Sequence, residues 1–533
     1  MLTAYLIIIY IVCGAYMLLN FKYDIQMLQQ NSYRISRYYH WLEDGHLYST
    51  WRLVDVALLI MLLSPLLPIS TSALIIAITG LVKIYMMWKK KYKKPLVFTR
   101  RVWRIYSVAA SLSLCAFVCA ATIPSPGGTS RWDDPVFIAL YVMLIITTFS
   151  WTIIIASVAI LSPVEKAINR RYYNEAAAIL RSMPDLKVIG ITGSYGKTST
   201  KHFLNRILSE TYDVLMTPGS YNTPMGVIRT IREMMKPYNQ VFICEMGAKQ
   251  KGDIKEICDL VLPNAGIITA VGPMHLETFG SIENVQDTKF ELADALPDSG
   301  LLVVNNDFKE CSTRPVTNVR TIRYGVSTPD GTDYQATDIS YSPQGTTFRV
   351  TSPDGFSLPL STRLVGECNI ANLLGAVVMA IYLKVPEERI RYAVAAIEQV
   401  EHRLSIRQTP GGITIIDDAF NSNPTGSRMA VDVLAHFTSG RRIIVTPGMI
   451  ELGDDQTALN KELGRHIGNN VDIAVIVGIY NRDSLVEGIM STDFDRSSLH
   501  LVDSFAESQK LLSTLLRPGD TVLYENDLPD TFK

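Results

Sequence analysis

The chain is short of net charge, of paired cysteines and of repetition, and each shortage closes off a class of protein. Its 533 residues carry a net charge of −1, with charged side chains at only 19%. That leaves no basic excess for a phosphate backbone, so no nucleic-acid partner is expected. Seven cysteines (Cys13, Cys115, Cys119, Cys244, Cys258, Cys311 and Cys368) are scattered without the spacing of a zinc site or a disulfide framework. They read as buried, reduced thiols. No internal repeat or low-complexity tract stands out. The first apolar run lacks a basic leader and a small-residue cleavage site, and more such runs follow, so it reads as a retained helix rather than a signal peptide.

What the chain does have is apolar length, concentrated before about residue 162. Runs occur at Leu2 to Leu19, at Leu53 to Trp88 with Pro65 and Pro68 inside, at Ile105 to Ile123 and at Pro135 to Leu161. Several are long enough for a bilayer, which takes about 20 apolar residues. They are read as membrane spans: five if Pro65 and Pro68 mark a hairpin, four if Leu53 to Trp88 is one kinked segment. Lys89, Lys90, Lys91, Lys93, Lys94, Arg100, Arg101 and Arg104 make a dense basic block, whereas the connection PSPGGTSRWDDP is nearly neutral. Basic loops stay cytoplasmic, so the chain is expected to return inward after Leu161 and to keep everything from about Ser162 in the cytoplasm. The block also suits anionic lipid head groups. Lys22 to Trp51, aromatic and mixed in charge, suits an interfacial helix lying against the membrane.

The most informative stretch is Val188 to Lys201, VIGITGSYGKTSTK. An apolar β-type run enters a glycine-punctuated turn and leaves through Gly196, Lys197 and Thr198 into a helical pattern. Glycines let backbone N–H groups curl around phosphate oxygens, the helix start favours negative charge, Lys197 neutralises the β- and γ-phosphates, and Thr198 offers a hydroxyl to Mg²⁺. The expected ligand is ATP. The general pattern places a glycine where this chain has Ile191, so the match is to a shorter form built on Gly193 and Gly196; the alternative is an ordinary strand-to-helix turn.

From Asp185 onward short β-type runs alternate with helical stretches, at Val188 to Thr192, Val241 to Met246, Gly266 to Val271 and Leu301 to Asn305, which predicts a parallel sheet flanked by helices. Between Arg320 and Val365 short strands and turns predict a small β insertion. A second α/β series begins near Glu401, with runs at Ile413 to Ile416, Arg442 to Thr446, Ile473 to Val477 and Thr521 to Tyr524. Open sheets of this kind place ligands at strand ends. Glu245 ends one such run and suits either a Mg²⁺ partner or a plain acid at a helix start. His275 and Glu277 follow the next run, and His275 suits a metal or phosphate role or a structural one.

Eight stretches in order, TGSYGKTSTK, TPGSYNTPMGV, EMGAKQKGDI, GPMHLETFGS with Lys289 downstream, GECNIANLLGA, EHRLSI, IDDAFNSNPTGS and GMIELG, resemble the Mur ligase family, the ATP-dependent amide ligases of bacterial cell-wall synthesis. The resemblance runs from about Val188 to Tyr524. After the multi-pass helical membrane region that the apolar runs predict over 1–162, it implies a P-loop central domain over 185–400 with a small β insertion and a Rossmann-like C-terminal domain over 401–533. It implies that Gly193, Gly196, Lys197 and Thr198 form the phosphate loop and that Glu245 helps hold a first Mg²⁺. His275 would hold a second Mg²⁺ together with Lys289, carbamylated as in many members. Asn369 and Asn372 would lie on the adenine side, and Arg403, Asp418 and Asn421, with Asn423 nearby, would close over ATP. The catalytic set is then Lys197, His275, Lys289 and Arg403.

The implied reaction activates a carboxylate as an acyl phosphate and joins it to an amine, D-Ala-D-Ala or another amino acid or dipeptide. In soluble members a small first domain holds the uridine nucleotide of the precursor; here membrane spans stand in its place, so the precursor is lipid-linked or UDP-linked. The last strand runs into YENDLPDTFK, where members adding D-Ala-D-Ala usually carry a K-G-S stretch. A ligase for another acidic polymer such as poly-γ-glutamate and a non-catalytic ATP-binding scaffold for membrane cell-wall enzymes are the alternatives. The expected location is the bacterial inner membrane, with both α/β domains in the cytoplasm.

Overall fold

The computed structural model of the chain describes all residues except 1, 48, 91, 93, 123–133, 343–344, 401–402, 420–422 and 528–533. It separates into two compact units, residues 1–168 and residues 169–528. Lys91, Lys93, Asn421 and nearly all of the neutral connection after Ile123 lie outside the described residues.

The first unit is helical. Among the described residues, four helices are long and apolar enough to cross a membrane, at Ile7–Gln30, Ile69–Lys89, Arg100–Ala120 and Ser150–Arg181. The run from Leu53 to Trp88 is two helices, Thr50–Leu63 and Ile69–Lys89. Pro65 and Pro68 have no N–H to donate to a continuing helix, and Ser64 is already extended. The run from Pro135 to Leu161, expected as one segment, is also two helices, Pro135–Thr148 and Ser150–Arg181, because Phe149 leaves the helical region. Its second helix does not stop at Leu161 but continues to Arg181. Lys22 to Trp51 is not one interfacial helix: its first nine residues prolong the helix Leu2–Gln30, and a turn with left-handed Ser32 and Tyr33 leads to the short helix Ile35–Trp41. Cys115 and Cys119 are exposed on the helix Arg100–Thr122, contrary to the expectation of buried thiols, while Cys13, Cys244, Cys258 and Cys311 are buried.

Charge inside this unit is balanced. Lys83 Nζ lies 2.6 Å from Asp55, and the Tyr16 hydroxyl donates to the other Asp55 oxygen at 2.9 Å. Asp24 accepts from Arg52 at 3.0 Å and from Tyr38 at 2.9 Å. Glu165 pairs with Arg104 at 2.6 Å. Desolvating two charges is costly, and an isolated one would be costlier still, so each pair holds its helices in one arrangement.

The second unit carries two sheets. The first orders β2 (Val214–Met216), β3 (Val241–Glu245), β1 (Lys187–Thr192), β4 (Ala265–Ile268), β5 (Leu301–Asn305), β6 (Arg320–Gly325), β7 (Tyr334–Ser342), β8 (Gly345–Thr351) and β9 (Ser357–Thr362). Pairing is parallel from β2 to β7 and antiparallel from β7 to β9. The stretch expected as a small insertion is therefore not a separate body; it widens the same sheet. β1 and β3 are apolar on both faces, as strands covered by helices on either side must be. Ile189, Ile191, Val241 and Ile243 enter one core with Phe203, Leu204 and Leu374, while Val188, Phe242 and Cys244 enter another with Ile254, Phe290 and Leu292. Each fully buried aliphatic side chain contributes roughly 1.5–3 kcal/mol, and this double core holds the strand ends in place.

The second sheet orders β10 (Ser405–Gln408), β11 (Thr414–Asp418), β15 (Thr521–Glu525), β12 (Arg442–Thr446), β13 (Ile473–Val477) and β14 (Leu499–Val502). Only β10 is antiparallel. The last strand of the chain sits in the middle of its sheet.

Candidate active site

β1, β3 and β4 are neighbours and end together: Ile191 is in register with Glu245 and Thr192 with Ile268. The glycine turn leaves β1 at this edge. Gly193 (φ 149°) and Gly196 (φ 76°) have positive φ, and a Cβ on either would collide, with Thr269 Oγ1 at 2.2 Å for Gly193 and with Asn372 Oδ1 at 2.0 Å for Gly196. Ser194 ties the turn to the loop after β4, its N–H donating to Ala270 O at 2.7 Å and its hydroxyl to Gly272 O at 3.0 Å. The helix Lys197–Leu208 starts immediately after Gly196, with its free N–H groups at the turn.

Three side chains close around the last residue of β3. The Thr198 hydroxyl and the Asn222 amide each donate to Glu245 Oε1 at 3.0 Å, and Lys201 Nζ lies 2.9 Å from Oε2. Burial raises the Glu245 carboxyl, but Lys201 and Lys197 outweigh it and hold the group below its usual range. Lys197 folds back over the turn and donates to Gly193 O at 2.6 Å and Ser194 O at 3.1 Å. Desolvation, with a smaller push from Arg403, brings Lys197 down to about 8. Its hydrogen bonds go only to carbonyls and Glu245 offsets only part of the desolvation, so the ammonium gains from any further anion that reaches it.

Lys289 lies on the helix Ile282–Asp294 and is 3% exposed. Its ammonium stands 5.8 Å from the centre of the Phe279 ring, and no carboxylate lies within ion-pair distance among the described residues. Burial first, then the charge of Lys197, push it well below the usual lysine value. His275 follows β4 in a left-handed conformation (φ 53°), and its Nδ1 contacts Glu451 Oε2, whose other oxygen lies 3.3 Å from Lys249 Nζ. Burial lowers the His275 ring below its ordinary value, and Glu451 offsets only part of that. Burial raises Glu451, yet His275 and Lys249 outweigh that and bring it to about 2.

From the second sheet, Arg403 acts electrostatically on Asp418, Glu245 and Lys197. Asp418 ends β11 and accepts from the Leu404 N–H at 3.0 Å. Desolvation, with Glu525 adding to it, pushes Asp418 up to about 7. Asn372 packs against Gly196, whereas Asn369 donates at 2.9 Å to Val365 O, just before the start of its helix. Asn423 caps the helix Pro424–Ala435 by accepting from Gly426 N at 2.8 Å.

Thus Gly193, Gly196, Lys197, Thr198, Glu245, Asn372 and Arg403 converge on one strand edge, with Lys289 and His275 beside it. Among the described residues no three His, Cys, Asp or Glu side chains form a metal-ready group. The hydroxyl and carboxylate of Thr198 and Glu245 are a hard oxygen pair of the kind Mg²⁺ takes alongside phosphate oxygens. Sequence reasoning gave no role to Lys201, Asn222 or Glu451. Lys201 had a usable signal, since a lysine one helical turn after Lys197 faces the same side; Glu451 had none beyond its place in GMIELG.

A family described as Mur ligase middle domain matches residues 191–380, and one described as Mur ligase, glutamate ligase domain, matches residues 402–524. The chain is 31% identical over 346 residues to the UDP-N-acetylmuramoyl-tripeptide--D-alanyl-D-alanine ligase of Bacillus subtilis, covering 64% of this chain and 72% of that one. It is 28% identical over 335 residues to the enzyme of the same name from Haemophilus influenzae, covering 62% and 71%. Among solved structures it superposes on MurF from Acinetobacter baumannii with a TM-score of 0.62 at 27% identity, covering 68% of this chain and 78% of that one. MurF ligase from Thermotoga maritima in complex with ADP gives 0.59 at 25% identity, covering 67% and 80%.

Proposed function

The chain belongs to the Mur ligase family and is an ATP-dependent ligase; on that premise we propose that it is anchored in the bacterial inner membrane and extends the peptide of a muramoyl cell-wall precursor with D-Ala-D-Ala. The reading divides the chain into a membrane region over 1–162, an ATP-binding domain over 185–400 and a C-terminal domain over 401–533, with both α/β domains in the cytoplasm. The observation that carries it is the meeting of a phosphate turn, the Thr198–Glu245 pair and two desolvated lysines at one strand edge.

In this reading a substrate carboxylate oxygen attacks the γ-phosphorus and ADP departs. The amine nitrogen then attacks the acyl carbon, loses a proton and expels phosphate. Lys197 exchanges its two carbonyl partners for phosphate oxygens, and the helix start at Gly196 receives the same charge. Thr198 and Glu245 would hold one Mg²⁺, and His275 with a carbamylated Lys289 would hold a second. Bound Mg²⁺ neutralises charge on the transferring phosphoryl group. Burial moves Lys289 toward the neutral form, whose nitrogen adds to CO₂, releasing a proton and leaving a carboxylate-like group where the described residues otherwise lack a third acidic ligand. Arg403, Asp418 and Asn421 would close over the nucleotide, with Asn369 and Asn372 on its adenine side, and closure keeps water from the acyl phosphate.

We take the precursor to be lipid-linked. One helix suffices to tether a protein, and this chain has four of spanning length. The deciding assay is ADP release by the full-length protein in lipid nanodiscs, comparing lipid-linked with UDP-linked muramoyl tripeptide and D-Ala-D-Ala with other amines. ADP release is expected only when a muramoyl peptide and D-Ala-D-Ala are both present, with higher kcat/KM for the lipid-linked form. Equal kcat/KM for the two forms removes the lipid-linked reading. Release with glutamate oligomers alone replaces the muramoyl one.

A further inference from the structure

Glu451 stands 176 positions from His275 in the chain, yet its carboxylate meets the His275 ring directly. The other Glu451 oxygen lies 3.3 Å from Lys249 Nζ, so both oxygens of the carboxylate are turned to donors. The proton in the contact therefore sits on His275 Nδ1. With Nδ1 turned to Glu451, Nε2 is the ring nitrogen left to ligate. We propose that Glu451 is a positioning residue for the second cation: reaching from the C-terminal domain, it fixes His275 as the tautomer whose Nε2 can ligate, so that this ligand is set when the two domains meet.

The proposal rests on the assignment of His275 to a cation made above and adds to it a residue that no motif assigned. Two further observations support it. Both residues adopt left-handed backbone, His275 at φ 53° and Glu451 at φ 62°, although neither is glycine or asparagine; such conformations persist where surrounding structure over-determines them and cluster at functional sites. The loop on the central-domain side is also braced. The Thr278 hydroxyl donates to Lys249 O at 2.6 Å, which holds the lysine that flanks Glu451 beside the short helix that His275 begins. Histidine ligands to metals ordinarily donate their other N–H to a carboxylate or carbonyl, and losing that partner costs about 10–100-fold in metal affinity.

The first test reads the proton directly, without metal or turnover. Full-length protein with ¹⁵N-histidine is reconstituted in liposomes, chelated, and studied by magic-angle-spinning NMR, with the His275 signals assigned by their loss in His275→Gln. The expected result is a neutral ring protonated at Nδ1; protonation at Nε2 overturns the proposal even if no variant of Glu451 folds. The second test titrates Mn²⁺ by electron paramagnetic resonance in the presence of ADP. Glu451→Leu should weaken one of two ions about 10–100-fold and leave the other unchanged. Glu451→Gln, whose amide oxygen still accepts from Nδ1, should recover much of the loss. If His275→Gln weakens an ion and Glu451→Leu does not, the positioning role is wrong while the site assignment stands. If His275→Gln weakens neither ion, the assignment of His275 to a cation is itself wrong.

Discussion

The N-terminal helices and the ligase unit both bury charge, and they do so in opposite ways. Among the described residues, the four charged side chains buried in the helices are Asp24, Asp55, Lys83 and Glu165, and each has an oppositely charged partner within 3.0 Å. At the phosphate turn the balance is weaker: Lys197 hydrogen-bonds only to carbonyls and feels Glu245 at longer range, and Lys289 has no carboxylate within ion-pair distance among the described residues. A paired buried charge specifies how helices pack, whereas a desolvated charge without a counterion is a standing cost, and it is relieved when an anion or a chemical modification arrives. The first unit is built to stay assembled, the second to receive something negative.

Four variants break or sharpen that contrast. The largest effect is expected for Lys197→Ala, which removes the cation aimed at the phosphates: kcat/KM for ADP release should fall by about 10³-fold, while the thermal midpoint of the nucleotide-free protein holds or rises. A fall in midpoint with activity kept would make Lys197 structural. Next is Asp55→Leu, which strands Lys83 and should cost about 3 kcal/mol. The double variant with Lys83→Met should restore most of the loss, and unfolding in detergent reads both. If the double variant is as damaged as the single, the pair does more than balance charge.

Lys289→Ala should lower kcat/KM by about 10²-fold, with partial rescue by added acetate or propionate as a stand-in for the carbamate. Full activity without additive would remove the lysine from the site. The smallest effect concerns Asp418. Its folded value of about 7 lies above the ordinary 3.8, so the folded state favours the protonated form; the stability this gives is whole below about pH 4, declines as pH rises, and is gone above about 7. Asp418→Asn should therefore raise the thermal midpoint at pH 8 by roughly 2–4 °C and by progressively less toward pH 5. A gain that does not change with pH would show that the carboxyl is not desolvated in the fold.

Much of this was legible in the chain. Strands β5, β12 and β13 begin and end where their apolar runs do, because a strand buried on both faces has no polar alternation to blur its limits. The phosphate turn was legible for a related reason: the positive φ of Gly193 and Gly196 and the helix start after them are local properties of six or so residues. The short β2, β10 and β14 were not legible, since strands of three or four residues hold only by pairing with neighbours. The break at Phe149 was missed as well, because no proline or glycine marks it and an apolar run reads the same whether it is one helix or two.

The sequence by itself determined which groups could bind phosphate, where the apolar helices fall, and that two α/β sheets follow, since each of these depends on neighbours in the chain. Only the tertiary structure decided that Lys201 lies against Glu245 while Lys197 folds back on the turn, that the strands from β7 to β9 widen the central sheet, and that Glu451 meets His275. Those outcomes turn on distances of 3 Å or less between side chains brought together by burial of the two cores, and neither residue type nor spacing carries that information.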